Sequence, residues 1–191
     1  MTISLQKGQR VSLEKVAPGL VAGFIGLGWD VKDTDTGADF DLDASVFLLG
    51  ANEKLISEKH FIFYNNLTSP DADESVKLMG DNQTGAGEGD DEVVIVDLRK
   101  VPQEVQKIAI TVTIYEAEKR HQNFGQVRNA YVRLVDVQSK KEVLRYDLQE
   151  DYSTETALIM AELYRKDGGW RINAVGGGYE GGLAALLNRY Q

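Results

Sequence analysis

Cysteine is absent from the 191 residues of the chain. Its absence excludes thiolate catalysis, disulfide scaffolds, and zinc or iron–sulfur centres built on cysteine. Long apolar runs are also missing, because the longest are about six residues, whereas a membrane-spanning helix needs about 20. The N-terminal residues lack the basic stretch and apolar run of a signal peptide. We therefore expect a cytoplasmic protein that does not span a membrane.

Catalytic motifs are scarce as well. The two histidines, His60 and His121, lie far apart in the sequence, and no Gly-x-Ser-x-Gly nucleophile elbow is present. A Ser/His/Asp arrangement stays open, and so does glycoside hydrolysis by paired carboxylates, although the latter needs a sugar-binding cleft. We expect the protein not to be an enzyme.

Negative charge is abundant but confined to two stretches. Residues 30–43 contain six acids and one lysine, and residues 71–92 contain eight acids and one lysine. These stretches together carry a net charge of −12, whereas the other 155 residues carry +3 and the whole chain −9. Such a field repels phosphate backbones and attracts cations. The pattern therefore disfavours nucleic-acid binding and favours cation binding.

The apolar pattern predicts an all-β fold. Short runs of β-branched and aromatic residues alternate with polar ones and are separated by turn residues, as in a β-sandwich. We predict a single domain over residues 1–191 with about ten short strands, a helical turn at Pro102–Gln106 and a C-terminal helix at Gly182–Tyr190. The predicted strands are Gly8–Leu13, Gly23–Gly28, Ala44–Gly50, His60–Tyr64, Glu92–Asp97, Lys107–Tyr115, Ala130–Val137, Glu142–Leu148, and a hairpin of Ala161–Arg165 with Trp170–Val175 whose first strand extends back to Ala157.

The first acidic segment ends in Asp39-Phe-Asp-Leu-Asp43. Strand alternation places its three aspartates on one face, where their repulsion requires compensation. Alternate residues of a strand lie about 6.5–7 Å apart, whereas calcium–oxygen bonds span roughly 2.3–2.6 Å. Asp39 and Asp43 therefore meet on one ion only if the chain bends, and otherwise two ions are needed.

The second acidic segment, Gly80-Asp-Asn-Gln-Thr-Gly-Ala-Gly-Glu-Gly-Asp-Asp-Glu92, combines carboxylates and an amide with glycines that free backbone carbonyls. This oxygen-only donor set suits Ca²⁺ better than zinc, copper or magnesium. An EF-hand beginning at Asp39 fails, because positions 44 and 50 are Ala and Gly. A phosphate-binding loop fails for want of its Lys and Ser/Thr. Solvated acidic loops without a bound ion are the alternative.

Matching stretches along nearly the whole chain resemble the TerD-like family of tellurite-resistance proteins. They are Ile25–Asp30, Asp39–Ser45, Phe63–Asn66, Gly80–Asn82, Gly89–Glu92, Asn123–Val127, Glu155–Ala157 and Gly181–Ala185. The resemblance implies a calcium-binding β-sandwich of bacterial stress-response systems, with ligands at the positions that match the family's acidic loops. With the carbonyls of the glycine-rich loop included, the candidate ligands are Asp30, Asp39, Asp41, Asp43, Asp81, Asn82, Gly87, Gly89, Asp90, Asp91 and Glu92.

The resemblance further implies that the protein acts through partners. We expect ion-linked interaction with other tellurite-resistance proteins, some of them membrane-associated, in the cytoplasm or at the inner face of the membrane. A metal-dependent enzyme of unknown reaction and a calcium-bridged assembly module are the alternatives. The oligomeric state stays open.

Overall fold

The computed structural model describes residues 2–31, 40–79 and 89–191. Over these residues the chain forms two six-stranded sheets, with strand orders β1-β10-β9-β3-β7-β6 and β2-β12-β11-β8-β4-β5, here called sheet A and sheet B. The strands are β1 Ile3–Leu5, β2 Arg10–Ser12, β3 Ala22–Val31, β4 Leu42–Leu49, β5 Phe61–Ile62, β6 Val76–Met79, β7 Glu92–Asp97, β8 Lys107–Ile114, β9 Val127–Asp136, β10 Glu142–Asp147, β11 Ala157–Lys166 and β12 Gly169–Tyr179. The helices are α1 Leu13–Val16, α2 Ala117–Arg120 and α3 Gly182–Tyr190, with single 3₁₀ turns at Glu58–His60 and Phe124–Gln126.

The two sheets face each other across one apolar core, which makes the fold a β-sandwich. Ile25 and Leu27 of sheet A and Val46 and Ile110 of sheet B are fully buried in this core. Alternation explains the choice of face, because β7 buries every second residue beginning at Glu92. The fold class expected from the sequence is confirmed.

A second apolar cluster covers the outer face of sheet B. There the C-terminal helix α3 packs Leu186 and Tyr190 on Phe47 of β4, with the Phe47 and Tyr190 ring centroids 4.8 Å apart. Because residues 46–49 of β4 are apolar on both faces, this half of the strand is a continuous hydrophobic run instead of an alternating one. The predicted helix bounds Gly182–Tyr190 are confirmed.

Several details differ from the sequence prediction, which also lacks the short helices α1 and α2. Strands β1 and β6, of three and four residues, were not predicted, because runs this short depend on a neighbouring strand for their definition. Pro102–Gln106 forms a turn closed by a Val105 N–H to Pro102 O hydrogen bond of 3.0 Å, and not a helix. The single domain over residues 1–191 stays a prediction. Within the described residues, no helix is long and apolar enough to cross a membrane.

Candidate functional site

The two acidic segments come together where β3 ends and β7 begins. The strands pair antiparallel, with Leu27 opposite Glu92. Beyond this pair, the Trp29 N–H donates to Asp91 Oδ2 at 2.8 Å, and the Asp91 N–H donates to the Leu27 carbonyl at 2.7 Å. Since Trp29 directly precedes the first acidic segment and Asp91 belongs to the second, these hydrogen bonds fasten one segment to the other.

Asp90 anchors the second segment to the outer face of sheet A. Its side chain is only 3% exposed. The Arg133 guanidinium donates Nε to Oδ1 and Nη2 to Oδ2, both at 2.8 Å, in a two-pronged ion pair. The Tyr131 hydroxyl donates to Oδ1 at 2.8 Å. These donors engage both oxygens of Asp90, so the geometry favours an anchoring role for this residue over ion ligation.

Two glycines of β3 make room for this anchor. Gly26 lies opposite Arg133, and Gly28 lies opposite Tyr131, on the neighbouring strand β9. A Cβ at Gly26 would overlap the Asp90 carboxylate, and a Cβ at Gly28 would overlap the Tyr131 ring. The two glycines of the Gly-Leu-Gly sequence therefore allow Asp90 and Tyr131 to lie close to the β3 backbone on its outer face. Leu27 between the glycines is buried in the core.

The electrostatics of the anchor follow from its hydrogen bonds. The hydrogen bonds that Arg133 donates to Asp90 hold the pKa of Arg133 above its ordinary value. Burial, together with the hydrogen bond to Asp90, raises the pKa of Tyr131 to about 12. The Arg145 guanidinium stacks 3.8 Å from the Tyr131 ring centroid, and Glu142 adds a second carboxylate 3.3 Å from Arg133. Arg133 is therefore held as a permanent cation beneath the acidic segment.

The remaining acids of this end point in different directions. Asp30 is exposed and accepts a hydrogen bond of 2.7 Å from the Asn129 side chain. Glu92 is 8% exposed and lies on the core-facing side of β7, along with Val94 and Val96. The described acids of this end therefore do not form one cluster.

Asp41 and Asp43 belong to the other sheet. Asp41 is exposed and precedes β4, and its carbonyl accepts a hydrogen bond of 2.8 Å from the Tyr115 N–H. Asp43 lies in β4 opposite Thr113 of β8, on the outer face of sheet B. Leu42, between the two aspartates, is buried in the core. The alternation predicted for this segment is present in these residues.

Four candidate ligands lie outside the described residues, namely Asp39, Asp81, Asn82 and Gly87. Gly89 is described and exposed, and its carbonyl accepts a hydrogen bond from Tyr131 at 3.3 Å. Among the described residues, no three carboxylates or imidazoles are grouped so that they could hold a metal ion. A complete ion site therefore needs donors from 32–39 or 80–88.

Three acids of the second charged stretch have other roles. Asp71 closes its own turn by accepting hydrogen bonds from the Ser69 and Ser75 hydroxyls, the latter at 2.9 Å. Asp73 and Glu74 form exposed ion pairs with lysine side chains at 2.9 and 2.7 Å. These three acids of the 71–92 stretch therefore have local partners, away from the end where Asp90 and Asp91 lie.

One histidine resembles part of a catalytic relay. His60 Nδ1 lies 2.8 Å from Ser57 Oγ, and its Nε2 lies 3.8 Å from Glu104 Oε1. The second distance is too long for a hydrogen bond. Burial lowers the pKa of His60, and neither Ser57 nor His60 lines the largest cavity described below. The arrangement therefore gives no support to Ser/His catalysis.

Sequence patterns did not predict that Arg133, Tyr131, Gly26 and Gly28 belong to this end of the molecule. The two glycines are two residues apart, and so are Tyr131 and Arg133, which indicates that each pair shares one face of a strand. The pairing of β3 with β9, which places the glycines under the large side chains, joins residues about 100 positions apart. Sequence periodicity alone does not show this pairing.

Comparisons with known proteins agree on one family. A family model described as TerD domain matches residues 1–190. The chain is 55% identical to "General stress protein 16U" of Bacillus subtilis over 190 residues, covering 100% of this chain and 97% of that protein. It is 54% identical to "Tellurium resistance protein TerD" of Serratia marcescens, with the same coverage of 100% and 97%.

A solved structure supports the fold independently. The crystal structure of a homologue of telluride resistance protein (TerD) from Streptomyces coelicolor A3(2) superimposes with a TM-score of 0.68 at 19% identity. The match covers 88% of this chain and 96% of that one. At this identity the likeness shows a shared fold.

Proposed function

The chain belongs to the TerD domain family, and from this premise we propose that it is a stress-response protein of tellurite resistance that binds about two calcium ions through its acidic segments. The family relatives named above supply the stress and tellurium-resistance part of this proposal. The calcium part rests on the residues of this chain. We propose no catalytic activity.

One observation carries the calcium proposal. The hydrogen bond from Trp29 N–H to Asp91 Oδ2, at 2.8 Å, joins the start of the first acidic segment to the end of the second. One end of each acidic segment is thus fastened to the other, and the two stretches together carry a net charge of −12. Carboxylates gathered in this way repel each other unless a cation lies among them.

The donor chemistry fits calcium. The candidate ligands are carboxylates, one amide and backbone carbonyls, all of them oxygen donors as calcium requires. Asp91 and Glu92 from the second segment and Asp41 and Asp43 from the first would supply the described donors. The others would come from 32–39 and 80–88, in keeping with two neighbouring ions. Asp90 would fix the loop's end through Arg133 without ligating the ion.

Binding would act on partners through the order of the loops. A bound ion stabilises the folded state by mass action, and it would fix segments that otherwise repel each other. We propose that the ordered segments form a surface for other tellurite-resistance proteins, in the cytoplasm or at the inner face of the membrane. A calcium-bridged assembly would give the same ordering between copies of the chain.

Titration calorimetry on chelator-treated protein tests the proposal. We expect saturable calcium binding with a stoichiometry of about two, and weaker binding of magnesium. Asp43→Asn and Asp81→Asn should each weaken calcium binding at least tenfold. Asp73→Asn is the matched control, because it removes one carboxylate of the same charged stretch that is already paired with Lys100. Size-exclusion chromatography with and without calcium would detect bridged copies.

Equal weakening by all three variants would mean that bulk charge attracts the ion without a defined site. If calorimetry detects no heat of calcium binding while circular dichroism shows a folded protein, the calcium proposal is wrong. The family assignment would stand.

A further inference from the structure

The largest cavity of the described residues lies on the outer face of sheet B. Its volume is about 650 Å³, within the range of small-molecule sites. It is bounded by the start of β4, the turn after β5, the α2 segment and the N-terminal end of α3. The cavity is thus separate from the Asp90 anchor, which lies on the outer face of sheet A.

Segments far apart in the sequence converge on this cavity. Its lining includes Asp43–Ser45, Phe63–Tyr64, Thr156 and Gly181–Ala184. Each of these belongs to a stretch on which the resemblance to the TerD-like family rests. Asp43 and Ser45 lie on the side of sheet B away from the sandwich core, whereas Ala44 between them belongs to that core. The convergence of these segments indicates a binding site.

The floor of the cavity contains a threonine hydroxyl. Thr113 is 5% exposed and lines the cavity from β8. A hydroxyl both donates and accepts hydrogen bonds, so it can pair with a polar group of a ligand in the cavity. The neighbouring Thr156 hydroxyl already accepts the Gly182 N–H at 2.9 Å.

Two exposed aromatic rings stand at the cavity. Tyr64 and Tyr115 are 58% and 47% exposed and both line it. Aromatic rings exposed beside a cavity are characteristic of recognition sites. The Arg120 guanidinium lies 5.3 Å from the Tyr115 ring centroid, so this ring already accepts a guanidinium of the chain itself.

The lining carries more negative than positive charge. Asp43, Glu116 and Glu118 contribute carboxylates, and Lys119 contributes one ammonium, which pairs with Glu116 at 3.2 Å. The N-terminal end of α3 adds only about half a positive charge. Glu118 is exposed and forms no ion pair with any described residue. A cationic ligand is therefore favoured over an anionic one.

We propose that this cavity binds an organic cation, an ammonium or guanidinium group on an alkyl stem. The stem packs on the apolar lining, and the cationic group lies against the Tyr64 ring. The cationic group meets Glu118 and donates a hydrogen bond to the Thr113 hydroxyl. The cavity shares Asp43 with the proposed calcium ligands, so the test uses chelator-treated full-length protein, in which no calcium competes for that carboxylate.

Titrations followed by ¹H–¹⁵N NMR compare n-butylguanidinium with n-butylurea, a neutral molecule of nearly the same shape. We expect shifts at cavity residues, with the urea binding at least tenfold more weakly. Glu118→Gln should weaken the cation about threefold, and Tyr64→Leu about two- to fivefold, as loss of a cation–π contact predicts. Glu58→Gln, an exposed acid away from the cavity, is the matched control and should leave binding unchanged.

The same titration with agmatine and with an arginine-centred blocked pentapeptide identifies the source of the cation. Tighter binding of the peptide assigns the site to a basic side chain of a partner protein, and tighter binding of agmatine assigns it to a free metabolite. Equal affinity for the guanidinium and the urea would overturn the proposal. So would equal effects of Glu118→Gln and Glu58→Gln, or shifts confined to residues outside the cavity.

Discussion

Replacing Arg133 by methionine removes the cation that neutralises the buried Asp90. Methionine keeps much of the stem of Arg133 but donates no hydrogen bond, so among the described side chains the Asp90 carboxylate, 3% exposed, retains only the Tyr131 hydroxyl. Breaking one side of a buried pair costs about 3–5 kcal/mol. Because the Arg133 side chain is 29% exposed and water can replace part of it, we expect a loss near the lower end, about 3 kcal/mol.

Urea denaturation measures this loss as a lower midpoint at unchanged slope. Arg145→Met is the matched control, because Arg145 stacks on Tyr131 and pairs with the exposed Asp147. Its loss should stay below about 1 kcal/mol. In the double variant Asp90→Asn with Arg133→Met, the loss should be smaller than the sum of the single losses by at least about 1 kcal/mol. A loss below about 0.5 kcal/mol for Arg133→Met, or strict additivity, would refute the anchor.

Three further predictions concern packing and pH. Gly28→Ala should destabilise the fold by about 1–3 kcal/mol, because the new Cβ would overlap the Tyr131 ring. Gly89→Ala is the control and should change the denaturation midpoint little, because its Cβ would meet nothing within 4 Å. Equal effects of the two substitutions would contradict this steric explanation. Leu186 is a fully buried residue of α3, so Leu186→Ala should lower the free energy of unfolding by about 2–5 kcal/mol in the same assay. A loss below about 1 kcal/mol would mean that α3 is loosely docked. Burial lowers the pKa of His60 below 6.5, so the stability that its neutral ring contributes should fall as the pH drops below about 6.5; an NMR titration showing a higher pKa would contradict this.

The fold was largely predictable, because its long strands carry a clear pattern. Glu92–Asp97 and Gly182–Tyr190 have the predicted bounds, since turn residues and periodicity mark both ends. The hairpin of β11 and β12 was predictable from its turn, where Asp167 and Gly168 both have positive φ. Edge strand β6 was not, because four residues beside one partner leave little pattern.

The candidate site was predictable in its acids but not in its anchor. Composition alone identified the acidic segments, because charge is local in sequence. The partners of Asp90 are Arg133 and Tyr131, more than 40 residues away, and they are identified by strand order alone. The same limit applies to the cavity on sheet B, whose lining comes from segments far apart in the sequence.

Terbium luminescence tests the central claim most directly, namely that the joined acidic segments bind calcium. Terbium takes the oxygen ligands of calcium, and its emission is sensitised by a nearby tryptophan. The backbone N–H of Trp29 donates to Asp91, and Trp29 directly precedes Asp30. Trp170, in contrast, is buried in the core. We predict sensitised emission that calcium abolishes by competition, that Trp29→Phe removes and that Trp170→Phe retains. Emission that is absent, insensitive to calcium or unchanged by Trp29→Phe would contradict a calcium site at this end of the sandwich.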